Sequence, residues 1–150
     1  MRTVVQRVTR ATVSVAGDEV ARIAHGVLLL VAFAPGDDDA VLEWMAHKVH
    51  SLRIFENADG RMSRSLDDVD GEVLIVSQFT LYGNCRKGAR PSFDRSAHPD
   101  VARRLYGRFV SCMESEIPGR IRTGCFGAHM NVNIDNDGPV TLILDREARA

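Results

Sequence analysis

An uninterrupted apolar run at residues 27–33, Val-Leu-Leu-Leu-Val-Ala-Phe, constrains the fold of this chain more than any other segment. The run is bounded by Gly26 on one side and by Pro35-Gly36 on the other, which are residues that end regular structure. It is far shorter than the ~20 apolar residues of a membrane-spanning helix. Because it is also too short for a typical buried helix, it predicts a central strand that is buried on both faces.

Segments rich in β-branched residues, or with alternating polarity, predict further strands around this run. Residues 4–15 form the first, and the turn signal at Ala16-Gly17-Asp18 lets residues 19–24 return as its hairpin partner. Further strands are predicted at residues 52–55, 72–81, 130–134 and 139–144, with a turn at residues 135–138 between the last two.

Two segments between the strands have the spacing of amphipathic helices. The first follows Asp37-Asp38-Asp39, whose carboxylates suit a helix N-terminus. Its apolar face comprises Val41, Met45, Val49 and Leu52. The second is predicted at residues 99–117, because Pro99 suits the first helical position and Pro118-Gly119 ends the segment. The sequence therefore predicts one α+β domain over residues 1–150, in which two helices cover a mostly antiparallel, curved or barrel-like sheet.

The charge balance limits how this domain can attract a partner. Nineteen Lys and Arg residues stand against twenty Asp and Glu residues, so the net charge is −1 and a nucleic-acid site needs a local cluster of cations. The three cysteines cannot all pair and lack metal-ligand spacing, which favours reduced thiols. Charge at Arg2 and Arg7 comes too early for a signal peptide. We therefore expect a cytoplasmic protein with no membrane partner.

A first candidate site is Ser77-Gln78-Phe79-Thr80, where the predicted buried strand meets a loop. If the strand stays regular, Ser77 and Phe79 face one side while Gln78 and Thr80 face the other. Hydroxyl and amide side chains beside free backbone N–H groups can orient a carbonyl or stabilise an oxyanion. The alternative is a strand whose residues turn polar as it emerges into solvent, and composition alone favours that alternative.

A hydroxyl nucleophile needs a base, and among the five histidines only His129 is predicted near this end of the sheet. A triad of Ser77 or Thr80 with His129 and an acid, Asp135 or Asp137, has no support from spacing. We therefore predict that the two hydroxyls bind substrate rather than attack it.

A second candidate is the basic loop at residues 82–95, which carries four cations and one acid between Tyr82 and Phe93. Its cations are Arg86, Lys87, Arg90 and Arg95. This local excess suits a phosphate backbone, and the aromatic rings can stack on bases. The alternative is a solvated surface loop. Three further arginines at 103, 104 and 108 widen the basic region and favour RNA over that alternative.

The third candidate is the segment at residues 136–141, which contains Gly138-Pro139. It is either a tight hairpin turn or a rigid element in which a cis bond points two carbonyls the same way. A calcium-like pattern nearby lacks its final acid, which falls on Leu144, and His47-x-x-His50 lacks a third ligand. No metal site is therefore predicted.

Taken together, these segments resemble the D-aminoacyl-tRNA deacylase family, almost from end to end. The matching segments are Met1-Arg2 with Gln6-Arg7-Val8, Leu52-Arg53-Ile54-Phe55, Ser77-Gln78-Phe79-Thr80-Leu81, Arg86-Lys87-Gly88 with Arg90-Pro91-Ser92-Phe93, Phe126-Gly127-Ala128 with Met130, and Asn136-Asp137-Gly138-Pro139-Val140-Thr141. The order and separation of the Ser-Gln-Phe-Thr-Leu and Gly-Pro-Val-Thr motifs are specific, so we prefer the functional interpretation of the first and third candidates.

The resemblance implies a homodimeric, cytoplasmic hydrolase that cleaves the ester between a D-amino acid and the terminal adenosine of tRNA. It implies no metal and no organic cofactor. It also implies that the Gly138-Pro139 bond is cis and reaches into the active site of the opposite subunit. A pocket of parallel carbonyls can hold the substrate ammonium and exclude a side chain of L configuration, while glycine passes. We therefore expect glycyl-tRNA as a second substrate.

The resemblance also assigns roles to individual residues. It implies that Phe79, Phe126 and Met130 hold the terminal adenine, and that Ser77, Gln78 and Thr80 surround the scissile carbonyl. Arg7 is expected to support the Gly-Pro element, and Arg86, Lys87 and Arg90 to bind the tRNA. Because no base for Thr80 is evident, we expect assistance from the 2′-hydroxyl of the terminal ribose.

Two other functions remain open from the sequence. The runner-up is a hydrolase of small D-amino acid esters or peptides that needs no tRNA, against which the basic loop argues. The other is a non-catalytic module that binds an RNA end and protects the ester. We expect the 3′ end of aminoacyl-tRNA, and not DNA, to be the nucleic-acid partner.

Overall fold

The computed structural model describes residues 1–148, in which eight strands and two helices form an α+β domain. The strands are β1 (Arg2–Val15), β2 (Asp18–Ile23), β3 (Gly26–Ala32), β4 (Phe55–Glu56), β5 (Met62–Arg64), β6 (Glu72–Ser77), β7 (Ile121–Thr123) and β8 (Asn131–Asp145). The helices are α1 (Asp39–Ser51) and α2 (Pro99–Glu116), and a 3₁₀ turn follows β6 at Phe79–Tyr82. Neither helix is both long enough and apolar enough to cross a membrane.

The six-stranded sheet has the order β2-β1-β3-β6-β7, and β8 adds to β1 along almost its whole length. Strand β1 pairs antiparallel with β2, as predicted, and also with β3 and β8. However, β6 is parallel to both β3 and β7. These two pairings escaped the prediction from short connections because α1 and α2 lie in the chain between the paired strands, and a helical crossover returns the chain in the same direction.

The apolar run predicted to be a central strand is β3, and its alternate residues enter two separate cores. Val27, Leu29 and Val31 pack with the buried faces of α1 and α2. Leu28 packs on the opposite face with Leu74 of β6 and with residues of β1, β2 and β8. Helices thus cover one face of the sheet, while the curved sheet encloses the other, which confirms the barrel-like fold class.

Strand β8 corrects the predicted turn at residues 135–138, because the chain does not reverse there. Gln6 pairs with Thr141 and Val8 pairs with Asn136, so Arg7 alone stands opposite residues 137–140. This segment is a bulge in one continuous strand. Residues 137–140 interrupt the ladder, but the strand pairing on both sides keeps the direction of the chain.

Two other predicted strands are shorter than expected. The segment at 52–55 contributes only Phe55 to a strand, since Leu52 is the C-cap of α1. The strand predicted at 72–81 ends at Ser77, and the chain then coils into the 3₁₀ turn.

Candidate active site

The site is built where β6 ends and the 3₁₀ turn begins. The backbone N–H of Gln78 donates to the Val31 carbonyl at 2.7 Å, which is the last anchor of this segment to β3. Because the chain then coils, the predicted alternation of side chains is wrong, and Phe79 and Thr80 are both exposed. The Phe79 side chain is 56% exposed, which is unusual for a large apolar residue and leaves its ring free to contact a ligand.

Five of the residues predicted for the site line one cavity of about 630 Å³ at this end of the sheet. Ser77, Gln78 and Phe79 line it from β6 and the turn, and Phe126 and Met130 line it from the segment before β8. Thr80 is not among the lining residues, although its hydroxyl is tied to this wall because it accepts a hydrogen bond from the Gln78 amide. The structure therefore brings together residues that are about 50 positions apart in the sequence.

Aromatic contacts fix the shape of the cavity walls. The Phe79 and Phe93 rings meet edge to face with their centroids 5.1 Å apart, so Phe93 of the basic loop extends the wall. Tyr106 of α2 packs against Phe126 at 5.5 Å, and its hydroxyl donates to the buried Ile75 carbonyl at 2.8 Å. Burial raises the pKa of Tyr106, which keeps the hydroxyl protonated as a donor.

Sequence reasoning did not identify Tyr106 or Gly124, which lie outside the cavity lining and support the lining residues Phe126 and Met130. A Cβ atom at Gly124 would lie 2.8 Å from the sulfur of Met130, so the absence of a side chain there allows Met130 to reach the cavity. Tyr106 belongs to the apolar face of a helix, and nothing in its spacing distinguishes it from a core residue.

No side-chain base serves the hydroxyls of this site among residues 1–148. Neither Ser77 nor Thr80 is hydrogen-bonded to a histidine. His129 lines the cavity without a carboxylate partner within residues 1–148. The expectation that only His129 lies near this end of the sheet is wrong, since His98 also lines the cavity and lies 3.6 Å from Asp100. Both acids considered for a triad are engaged elsewhere, since Asp135 pairs with Arg10 and Asp137 pairs with Arg7, each at 3.2 Å. The triad is therefore not assembled.

Gly138 and Pro139 lie apart from this cavity in the same chain. Their peptide bond is cis, and both residues are exposed on the bulge of β8. Gly138 lines a different pocket of about 250 Å³ together with Arg7, His25 and Glu56, and no residue lines both this pocket and the first cavity. The predicted site residues thus do not come together in one place within a single chain.

Arg7 lies against the bulge and is almost completely buried, with 3% of its surface exposed. Its guanidinium donates to the Ile54 carbonyl at 2.7 Å and to the Asp137 carbonyl at 3.3 Å. Gly138 has a φ of +116°, and a Cβ atom there would come 2.9 Å from Nη2 of Arg7. Glycine is therefore required at this position by both its backbone conformation and the close approach of Arg7.

The basic loop extends from the cavity into solvent. Backbone hydrogen bonds between Asn84 and Ser92 close its base. Three of its cations are exposed and have no carboxylate partner within residues 1–148; these are Arg86, Lys87 and Arg90. The fourth, Arg95, lies 3.8 Å from Glu147. The described residues contain no group of three or more His, Cys, Asp or Glu side chains placed to hold a metal ion.

Solved structures share this fold over nearly the whole chain. One described as "c-Myc DNA Unwinding Element Binding Protein" is 40% identical, has a TM-score of 0.93, and is matched over 99% of this chain and 100% of that chain. A second, described as a probable eukaryotic D-amino acid tRNA deacylase, has a TM-score of 0.84 over 97% of this chain and 98% of that chain; at 21% identity it supports the fold alone.

The sequence comparisons then identify the family. The chain belongs to the D-Tyr-tRNA(Tyr) deacylase family, whose model matches residues 4–145. A D-aminoacyl-tRNA deacylase of Acaryochloris marina is 49% identical over 150 residues, covering 100% of this chain and 99% of that protein. A D-aminoacyl-tRNA deacylase of Thermosipho africanus is 50% identical over 146 residues, covering 97% of each. These matches confirm the resemblance found in the sequence.

Proposed function

We propose that this protein hydrolyses the ester bond of D-aminoacyl-tRNA and releases the free D-amino acid and the tRNA. The observation that carries the proposal is the cavity at the end of β6, in which three apolar side chains face the polar groups of Ser77 and Gln78. This cavity occurs in a chain about 50% identical over its full length to proteins named D-aminoacyl-tRNA deacylase. We place the reaction in the cytoplasm, where aminoacyl-tRNA is used.

In this proposal the apolar part of the cavity receives the terminal adenine. Phe79, Phe126 and Met130 offer two rings and a polarisable thioether, which suit stacking against a base. The exposed cations of the basic loop, Arg86, Lys87 and Arg90, then lie on the path of the tRNA backbone. One structural relative is described as a DNA-binding protein. For this chain we propose tRNA as the partner, because the cavity suits a single nucleotide end.

The ester carbonyl is proposed to lie beside Ser77, Gln78 and Thr80. The first N–H groups of a helical turn have no partner within the turn, so those of Phe79 and Thr80 are suited to stabilise an oxyanion. The Thr80 hydroxyl accepts a hydrogen bond from the Gln78 amide and has no base beside it. These contacts favour a binding role for Thr80, with the 2′-hydroxyl of the terminal ribose assisting the attack of water.

Selection of the D configuration is proposed to come from a second copy of the chain. Gly138 and Pro139 are exposed and lie outside the cavity of their own protomer, so they can complete a site only across a homodimer interface. Arg7 holds the bulge that carries them. Their carbonyls would bind the substrate ammonium and leave no room for an L side chain, whereas glycyl-tRNA would be accepted.

Deacylation of paired D- and L-tyrosyl-tRNA by the purified protein tests this function. We expect release of D-tyrosine and no release of L-tyrosine above the uncatalysed rate. Equal hydrolysis of both esters would disprove the proposed selection of the D configuration. If the D ester is lost more slowly with the protein than in buffer, the protein is instead a module that binds and protects an RNA end. Equal turnover of a free D-tyrosine ester would identify the simpler esterase.

A further inference from the structure

Arg103 of α2 lies at the rim of the cavity and has no role in the reaction proposed above. Its guanidinium carbon is 4.8 Å from the centre of the Phe126 ring, and Phe126 lines the cavity. A guanidinium at this distance over an aromatic face makes a favourable cation–π contact. The exposed Arg103 side chain is therefore held in place at the cavity mouth instead of extending freely into solvent.

Two neighbours confirm that position. A Cβ atom at Gly127 would lie 3.4 Å from Nη2 of Arg103, so the guanidinium also lies close to the Gly127 backbone. Gly127 lines the cavity, and so does Ala102, the residue that precedes Arg103 on the helix. Arg103 itself is outside the lining. It thus lies next to three residues that line the cavity.

The charge of Arg103 is not neutralised within residues 1–148, where it takes part in no ion pair. Five residues further along the same helix, Arg108 pairs with Asp39 at 2.6 Å. Two arginines on strands of the sheet are also paired with carboxylates, Arg2 with Asp145 and Arg122 with Glu72. An arginine that is both held by an aromatic ring and free of a carboxylate keeps its edge N–H donors available for an anion.

We propose that Arg103 binds the phosphodiester group on the 5′ side of the terminal adenosine, so that the site prefers a nucleotide ester over a nucleoside ester. This inference rests on the proposed function, because it takes the adenine to lie against Phe126. A guanidinium stacked on that ring presents its N–H groups at its periphery, where a phosphate can accept two of them. Arg103 does not reach the ester, and it is therefore a positioning residue.

The test compares two small substrates that differ by one phosphate. These are 2′(3′)-O-D-tyrosyl-adenosine and the same ester carrying a 5′-phosphate, each assayed beside D-tyrosyl-tRNA. We expect the wild-type protein to show a kcat/KM about tenfold higher for the phosphorylated ester, through a lower KM, since a charge-assisted hydrogen bond is gained. In Arg103→Ala the two esters become equal, while kcat on either changes little.

Two further variants separate phosphate binding from a structural role. Arg103→Lys keeps the charge but not the planar stack, and we expect it to retain part of the preference. Arg104→Ala removes the same charge from the adjacent helix position, which has no contact with Phe126, and it should retain the preference in full. If Arg103 had only a structural role, Arg103→Ala would lower kcat/KM for both esters by the same factor.

The possible results distinguish this inference from the function on which it rests. If the wild-type protein hydrolyses none of the three substrates, the proposed function fails. If it hydrolyses D-tyrosyl-tRNA but shows no phosphate preference, or retains that preference in Arg103→Ala, only the role of Arg103 is overturned. If the protein hydrolyses D-tyrosyl-tRNA but neither small ester, the role of Arg103 is also overturned, because the protein would then recognise parts of the tRNA beyond the terminal nucleotide.

Discussion

The guanidinium of Arg7 lies 3.2 Å from the carboxylate of Asp137, the residue directly before Gly138. This contact joins β1 to the bulge of β8 from a position where Arg7 is buried and Asp137 is partly exposed. A second carboxylate, that of Glu56, lies 3.6 Å from the same guanidinium. Arg7 therefore sets where the bulge stands relative to the sheet.

We expect Arg7→Gln to weaken both folding and the preference for D substrates. The buried Ile54 carbonyl loses its charged donor, while the exposed Asp137 and Glu56 carboxylates are rehydrated, so the free energy of unfolding should fall by about 1–3 kcal/mol. Urea unfolding and the ratio of D- to L-tyrosyl-tRNA hydrolysis measure the two effects.

Arg10→Gln is the matched control for this substitution. Arg10 lies on the same strand and makes an ion pair of the same length with Asp135, but both side chains are exposed. Its loss should change the free energy of unfolding by less than about 1 kcal/mol and leave selectivity intact. Equal selectivity of wild type and Arg7→Gln would contradict a supporting role for Arg7.

Thr80→Ala is expected to retain most of the turnover, because the hydroxyl has no base within the described residues. Removal of the substrate's 2′-hydroxyl should have the larger effect, at least about tenfold in kcat, since a group positioned inside the substrate is lost. Single-turnover hydrolysis of D-tyrosyl-tRNA ending in adenosine or in 2′-deoxyadenosine provides the comparison. Complete loss of turnover in Thr80→Ala with tRNA binding intact would identify Thr80 as the nucleophile.

Complementation between damaged subunits tests whether a second copy supplies Gly138 and Pro139. Gly138→Ala places a Cβ atom against Arg7 in a backbone conformation with positive φ, and Phe79→Ala removes a cavity wall. Each variant alone should be nearly inactive. After co-refolding at equal ratio, half of the dimers carry one intact site, and activity should recover to about a quarter of wild type. No recovery, with mixed dimers demonstrated by mass, would place both elements in one subunit.

A histidine distant from the cavity should make stability depend on pH. His50 of α1 contacts Glu116 at 2.7 Å through Nδ1 and Asp67 at 2.6 Å through Nε2, so both ring nitrogens act as donors when the ring is charged. Partial burial by itself lowers the pKa of His50, but hydrogen bonds to Asp67 and Glu116 outweigh it, and the pKa is raised. The hydrogen bond from His50, followed by that from Arg120, lowers the pKa of Asp67.

The raised pKa of His50 and the lowered pKa of Asp67 together determine how the free energy of unfolding changes with pH. A raised histidine pKa gives stability that is complete below the unfolded value of about 6.5 and is lost as pH rises through the folded value. The lowered pKa of Asp67 gives stability that is present above about pH 4 and is lost in more acid solution. The contact between the two is therefore strongest between about pH 4.5 and 6.5.

We expect the difference in unfolding free energy between wild type and His50→Gln to be larger at pH 5.5 than at pH 8.5. The change should be about 1 kcal/mol or less, because Asp67 is half-exposed and solvent screens the pair. His129→Gln, whose exposed side chain takes part in no ion pair within residues 1–148, is the control and should follow the wild-type profile. A difference that is the same at both pH values would rule out the charged bridge.

The Ser77-Gln78-Phe79-Thr80 motif could be predicted from the sequence only in part. The motif and its position after a buried strand were predictable, since polar residues end an apolar run. The orientation of Phe79 could not be predicted, because the same four residues are compatible with a 3₁₀ turn and with a continuing strand. Packing of β6 between β3 and β7 decided it, by ending the ladder at Ser77.

The central strand β3, both helices and the family were predictable from the amino-acid sequence, because hydrophobic periodicity, helix-end residues and specific motifs are local properties of the chain. The parallel pairing of β6, the continuity of β8 through Gly138, and the placement of Arg103 beside Phe126 became evident only in the folded chain. Each of these depends on contacts between distant segments, whose free energy is set by how the sheet closes and not by neighbouring residues.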